Sequence, residues 1–289
     1  MSAAFALSLA RSGKKVLIAS LDPAHNLGDV LGTKLYDKPG KVETNLDALE
    51  TDLNSWVKRY LDESREELAR TYSYNLTLNL NSFFDIMKYS PGTEEYAMLW
   101  AIEHIRCNLA GDYDIVVYDT PPTALSLRFL AMPAISNLWI AELTKLREKI
   151  LSKRTSITRI NPTSVVASSC VDKADDKIYG KLGSIKRRLS DLSSLFCKES
   201  YMAVVLNPDV LSVSEAIRIK EELDRIDIPL SGLCLNKRGV STTAWSLDHS
   251  LAASPLFEFD FLPKGLHERN DLASIDTREL VADFLATKS

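Results

Sequence analysis

Short apolar runs recur along the chain at 16–20, 114–118, 201–206, 231–235 and 256–261, and between them the apolar positions spread to helical spacing. Runs this short that are apolar throughout belong to strands buried on both faces, and helices between them belong to crossovers. The pattern therefore predicts an α/β fold, a mostly parallel sheet flanked by helices. The opening run, Met1 to Ala10, predicts a buried helix stopped by Gly13. Ser212-Val213-Ser214-Glu215 has the form of a capping box opening a helix through Ile226, and Asp227-Ile228-Pro229 ends it. Two long stretches, 47–110 and 134–199, do not alternate with strands. They predict helical segments inserted into a single sheet domain spanning 1–289, with charge runs such as Lys186-Arg187-Arg188 as solvated faces.

At 289 residues the chain is long enough for one substantial core. Its 35 Lys+Arg against 39 Asp+Glu give a net charge of -4, which argues against a nucleic-acid partner and fits a soluble protein. The four cysteines, Cys107, Cys170, Cys197 and Cys234, lie far apart and form no zinc pattern, as expected of reduced, mostly buried thiols in a cytoplasmic protein. In the apolar N-terminal run the positive charges (Arg11, Lys14, Lys15) follow the apolar residues instead of preceding them. The run is also too short to span a bilayer, so neither a signal peptide nor membrane insertion is expected.

Two of the strands lead into acidic turns. Asp22-Pro23-Ala24-His25-Asn26 follows 16–20, and Asp119-Thr120-Pro121-Pro122-Thr123 follows 114–118. Carboxylates at the carboxyl ends of parallel strands face the crevice where open α/β sheets bind ligands. In phosphoryl transfer one carboxylate can activate water while the other holds magnesium. Both aspartates are equally ordinary as turn or cap residues. Thr123 can cap the helix it opens, predicted over 124–131, or sense a γ-phosphate, and Arg128 suits a structural ion pair as well as a site. Asn207 and Asn236 also end strands; their amides can present a donor and an acceptor to adenine, or serve as turn residues.

Taken together in order and spacing, these turns resemble those of the arsenical pump-driving and tail-anchored-protein targeting ATPases, a family of P-loop NTPases. Ser90-Pro91-Gly92-Thr93-Glu94-Glu95, Leu125 to Leu130 and Leu211 to Arg218 extend the resemblance over essentially the whole chain. It implies that Asp22 is the catalytic, water-activating aspartate, that His25 and Asn26 complete its switch at a dimer face, and that Asp119 lies on the magnesium side, bound through water. It further implies that Thr123 is near the γ-phosphate, that Asn207 and Asn236 help hold adenine, and that ATP and Mg2+ are the cofactors. A homodimer whose opening and closing couples hydrolysis to a tail-anchored membrane protein or an anion-pump partner follows from the same resemblance.

The chain also departs from that family. No Gly-x-x-x-x-Gly-Lys-[Ser/Thr] loop occurs, and Gly13-Lys14 sits at the wrong end of the first helix. Aligned with the family, Met1 falls just after the phosphate loop, so the loop and the central strand before it are absent. The expectation is an N-terminally truncated sequence that is itself inactive, with a non-catalytic dimerisation or scaffold paralogue as the alternative. The Cys-x-x-Cys of the eukaryotic targeting factors is absent, and Ala124 stands where the family's switch has glycine, restricting the backbone there. Five scattered methionines give no Met-rich groove. Cys107 and Cys170 suit a metalloid or, more simply, a core, and Phe83, Phe84, Trp100 and Trp139 suit a groove or a core.

Overall fold

The computed structural model describes residues 1–24, 26–71, 80–161, 172–240, 245–263, 265 and 269–288, with side chains described for these except 67–71, 80–83 and 288. Its first sheet holds β2 (Gly40–Glu43), β3 (Leu46–Glu50), β1 (Val16–Ser20) and β4 (Ile115–Asp119) in that spatial order. Its second holds β5 (Met202–Leu206), β6 (Leu230–Arg238) and β7 (Leu256–Asp260). All pairings are parallel except β2 with β3. The five strands expected from the apolar runs are present within a few residues of their expected ends.

Helix α1 (Ser2–Arg11) lies against one face of both sheets. Its Ala3, Ala6, Leu7 and Ala10 pack with Val16, Ile18, Leu46 and Ala48 of the first sheet, while Met1 and Phe5 reach Cys234 and Phe257 of the second. It ends at Gly13, whose φ of +95° is open to glycine without strain. On the other face a second core gathers Leu21, Met98, Ile102, Phe129, Leu192, Phe196 and Leu223, with Tyr118 and Met202 packed against it.

Every residue of β1, which has strands on both sides, is buried. The outer edges of β4 and β5 carry no strand among the described residues, and both strands are correspondingly uncovered. Ile115, Val116, Val117 and Tyr118 of β4 are all partly exposed, and Val205 of β5 is 49% exposed. An apolar parallel strand with an open edge and incomplete cover is unusual, because such strands are normally enclosed.

Three expectations need correction. Residues 46–50 form a strand, although the stretch from 47 was assigned to helix. Asn45, at a φ of 62°, makes the tight turn that folds β2 onto β3, and Leu46 and Ala48 then point to the α1 core while Leu49 points to the opposite face. The helix expected over 124–131 is the first part of α6 (Thr123–Ile160), which runs through buried Pro133 without a break into the stretch expected to begin separately at 134. Helix α8 (Val210–Arg225) is capped by Asp209, which accepts from Ser212 N at 2.8 Å, and Ser212 Oγ instead accepts from Asn207 N at 2.8 Å. The Asp side chain one turn earlier supplies the acceptor that the capping-box reading gave to serine.

Of the remaining helices, α5 (Thr93–Asn108) and α7 (Lys177–Ser194) pack on α6, α3 (Leu53–Thr71) packs on α5 and α4 (Leu80–Met87) on α3, while α2 (Asn26–Leu31) and α9 (Arg278–Lys288) lie with the sheets. Trp56, Tyr60, Tyr96 and Trp100 join α3 to α5 through stacked and edge-on rings. Arg188, part of an expected solvated run, instead forks onto Glu103 with contacts of 2.5 to 3.1 Å, tying α7 to α5. Phe84 is buried and Trp100 half-buried in these cores, whereas Trp139 is 69% exposed; the Phe83 side chain lies outside the described residues.

The contact between α6 and α7 is pinned by Arg147, which donates to both oxygens of Asp176 at 3.0 and 2.6 Å. Asp176 also caps α7, accepting from Tyr179 N, and the pair is nearly enclosed, at 14% and 6% exposure. The guanidinium holds the Asp176 carboxyl below its ordinary value. Removing Arg147 strands a largely buried carboxylate, so Arg147→Ala is expected to cost about 2 kcal/mol of stability at neutral pH. Because the folded value is depressed, the carboxylate stabilises the fold above the unfolded value and loses that contribution as the pH falls through the folded one. Denaturant melts of both proteins should therefore converge below pH 4; a pH-independent difference would contradict this account.

Candidate functional site

The two acidic turns lie side by side. Strands β1 and β4 pair in register so that Ser20 faces Asp119, and Leu21 N donates to Asp119 O at 2.8 Å, which sets Asp22 just beyond the neighbouring strand end. Thr51, at the end of β3, donates through Oγ1 to Ser20 O at 2.8 Å and fixes the third strand end beside them. The side chain of Asp22 folds into its own turn, with Oδ1 accepting from Ala24 N at 3.0 Å.

Asp119 meets the start of α1. Ser2 Oγ donates to Asp119 Oδ1 at 2.6 Å, so a carboxylate sits at a helix amino end, where unsatisfied N–H groups favour negative charge. Met1 itself packs against Cys234 and Phe257 of the second sheet. This links the site to the second sheet. Burial pushes the Cys234 thiol up to about 11 and raises the Tyr118 phenol as well, leaving both groups neutral.

On the second sheet, Leu206 pairs with Leu235; Asn207 follows the end of β5, whereas Asn236 lies within β6, which runs on to Arg238, correcting the expectation that Asn236 ends a strand. Asn236 Oδ1 accepts from Lys237 N at 3.0 Å, across a residue with a φ of 58°. The structure thus gathers the predicted residues into two pairs, Asp22 with Asp119 and Asn207 with Asn236, toward the carboxyl ends of the two sheets. Asn26 opens α2 and is exposed; His25 lies outside the described residues. Thr123 is the first residue of α6, whose cap position is Pro122 with no side-chain cap bond, so the capping role suggested for its hydroxyl is not realised. Arg128 pairs with buried Glu95 at 3.1 Å, the structural alternative.

Sequence reasoning missed Ser2 and Glu50. Glu50 Oε1 accepts from Gly28 N at 2.7 Å and anchors the segment after Asp22 to β3. Asn45 was the available signal, a turn former immediately before a short apolar run. Cys107 is exposed and Cys234 buried, which corrects the expectation of mostly buried thiols; Cys170 lies outside the described residues.

The donor set fits the cation and the base of a magnesium nucleotide better than its phosphates. Two carboxylates at neighbouring strand ends suit a hydrated cation, and the asparagine pair suits a base. No glycine-rich loop supplies backbone N–H groups for the phosphates.

The family profile described as anion-transporting ATPase matches residues 1–244. The chain belongs to the anion-transporting ATPase family. Relatives within reach include a protein of Aquifex aeolicus provisionally named arsenical pump-driving ATPase 2, 29% identical over 236 residues, which cover 82% of this chain and 74% of that one. ATPase GET3 of Candida glabrata is 29% identical over 251 residues, covering 82% and 67%. The ATPase ASNA1 homolog of Dictyostelium discoideum is 30% identical over 241 residues, with the same coverage. Membership of the anion-transporting ATPases accounts for the parallel sheet flanked by helices and makes nucleotide and metal use general features of the group.

Proposed function

We propose that this chain is the body of an ATPase that couples ATP binding and hydrolysis to the opening and closing of a homodimer, and through it to an anion-pump or tail-anchored membrane-protein partner in the cytoplasm. The observation that carries the reading is the convergence of Asp22, Asp119 and the amino end of α1 at one strand-end crevice. In this reading Asp22 takes a proton from water, with His25 and Asn26 completing its switch. Asp119 would hold Mg2+ through its water shell, Thr123 would lie near the γ-phosphate, and Asn207 and Asn236 would help hold adenine. Magnesium ATP supplies the transferable phosphoryl group and the charge that these side chains orient.

The edges of β4 and β5, which carry no strand among the described residues, support the further proposal that a parallel strand and its phosphate loop complete this machine, and that the chain as it stands is inactive without them. Charge-assisted hydrogen bonds contribute roughly 1.5 to 3 kcal/mol each, so a loop supplying several of them governs affinity. A specific observation favours a second reading: both carboxylates already have structural partners, Ser2 and Ala24, as a scaffold retaining its turns would require. Calorimetry with magnesium ATP separates the two. The chain alone should give no heat of binding, and a version extended upstream by a relative's strand and glycine loop should bind. Absence of binding in both would reject the ATPase in favour of the scaffold.

A further inference from the structure

Between Leu35, buried in the α1 core, and the start of β2 the chain forms a tip, 36–39, that rests on the first turns of α3. Two contacts hold it. Glu50 N donates to Tyr36 O at 3.0 Å, and Trp56 Nε1 donates to Asp37 Oδ1 at 2.7 Å. Trp56 is 4% exposed, with the Arg59 guanidinium 4.7 Å above its ring and Trp100 and His104 of α5 packed against it.

An aspartate is an unexpected acceptor for that indole. Its second oxygen, Asp37 Oδ2, is buried yet accepts no hydrogen bond among the described residues. Arg59 lies 3.0 Å from it without the alignment of a hydrogen bond, and the arginine is half exposed, so solvent screens the attraction. Asp52, which caps α3 through Asn54 N at 3.1 Å and Ser55 Oγ at 2.5 Å, brings a second negative charge, opposed in part by Arg59 and by exposed His104. Burial outweighs these cations and lifts the Asp37 carboxyl above its ordinary value. The ionised group therefore costs the closed tip stability, whereas a neutral side chain of the same shape would keep the indole bond at a smaller cost. Groups that oppose the structure holding them belong where a protein has to move.

We propose that Asp37 is a release latch: its charge loosens the 36–39 tip from α3 at neutral pH, so that the tip detaches readily and uncovers Trp56, and protonation clamps it. Because the folded value is raised, docking is tightest below that value and weakens as the pH rises through it. The latch sits where the chain leaves the first sheet for the helical insert, since Thr51, bonded to Ser20 O, and Asp52 lead directly into α3. The tip itself lies in the stretch that joins the first acidic turn to that helix. Its release requires no nucleotide.

Hydrogen exchange on the full chain tests this, read by NMR at the Trp56 indole N–H, assigned with Trp56→Phe, and at the amides of Tyr36 to Lys38. Corrected for intrinsic exchange, protection in the unmodified protein should rise as the pH falls from 7 toward 4. Asp37→Asn, which retains an oxygen for the indole, should raise protection at pH 7 roughly tenfold and remove most of its pH dependence. Asp37→Ala has no acceptor and should lose protection at both ends of that range, while His104→Asn should keep the pH dependence. Asp37→Asn preserves the shape of the contact, so the test stands even if Asp37→Ala unfolds. Equal or lower protection in Asp37→Asn at pH 7 overturns the proposal, because the Arg59 ion pair would then make the charge stabilising. So does protection that is independent of pH in the unmodified protein, or a pH dependence that survives Asp37→Asn and disappears in His104→Asn.

Discussion

Replacing Asp22 with Asn, in a version of the chain extended by a strand and phosphate loop, is expected to lower ATP turnover about 10²- to 10⁴-fold while changing nucleotide affinity only a few-fold. The local geometry makes this substitution informative. Asp22 Oδ1 accepts from Ala24 N, and an asparagine carbonyl oxygen can keep that bond, so the turn after β1 should survive. What disappears is the basic oxygen able to take a proton from water. A residue serving only the turn would show no such split between turnover and binding. Steady-state kinetics beside calorimetry on both proteins decides the matter: unchanged turnover rejects Asp22 as the base, and loss of affinity with turnover makes it a structural residue. Asp119 is not equivalent, because Ser2 Oγ already occupies one of its oxygens.

The parts of this protein that were legible beforehand are those specified by local pattern. Strand β1 was readable because Val16 to Ser20 is buried on both faces and has to be apolar throughout, and α1 because its small and apolar residues fill one surface before Gly13. The strand-end placement of both aspartates followed from the runs before them. Less visible were features whose cause lies far away in sequence. Strand β3 is short and flanked by charged residues, and becomes a strand because β1 pairs with it and α1 covers Leu46 and Ala48. Ser2 finds Asp119 across 117 residues, a contact that no local pattern announces. The cap of α8 was misassigned because Asp209 and Ser212 are both good cap residues one turn apart, and only the pairing of Ser212 with Asn207 separates them. Likewise, Trp139 has the chemistry of a core residue, yet on α6 it is left largely exposed.

Phe129→Ala is expected to cost about 3 to 5 kcal/mol, the largest stability effect of any single change considered, and to lower the melting temperature by roughly 5 to 10 °C. Phe129 is 1% exposed and sits where Leu21 from the end of β1, Met98 and Ile102 of α5, Leu192 of α7 and Leu223 of α8 meet. Its removal opens a cavity that the sheet side cannot close, because β1 is fixed by pairing on both edges. The helix side cannot close it either without moving α6, which Arg128 ties to Glu95 and Arg147 ties to Asp176. Phe261→Ala, at a side chain 44% exposed, should cost far less and serves as the comparison. Thermal melts of the two variants test the argument, with similar losses contradicting it. Because α6 begins at Thr123, four residues after Asp119, Phe129 anchors the helix into which the second acidic turn leads.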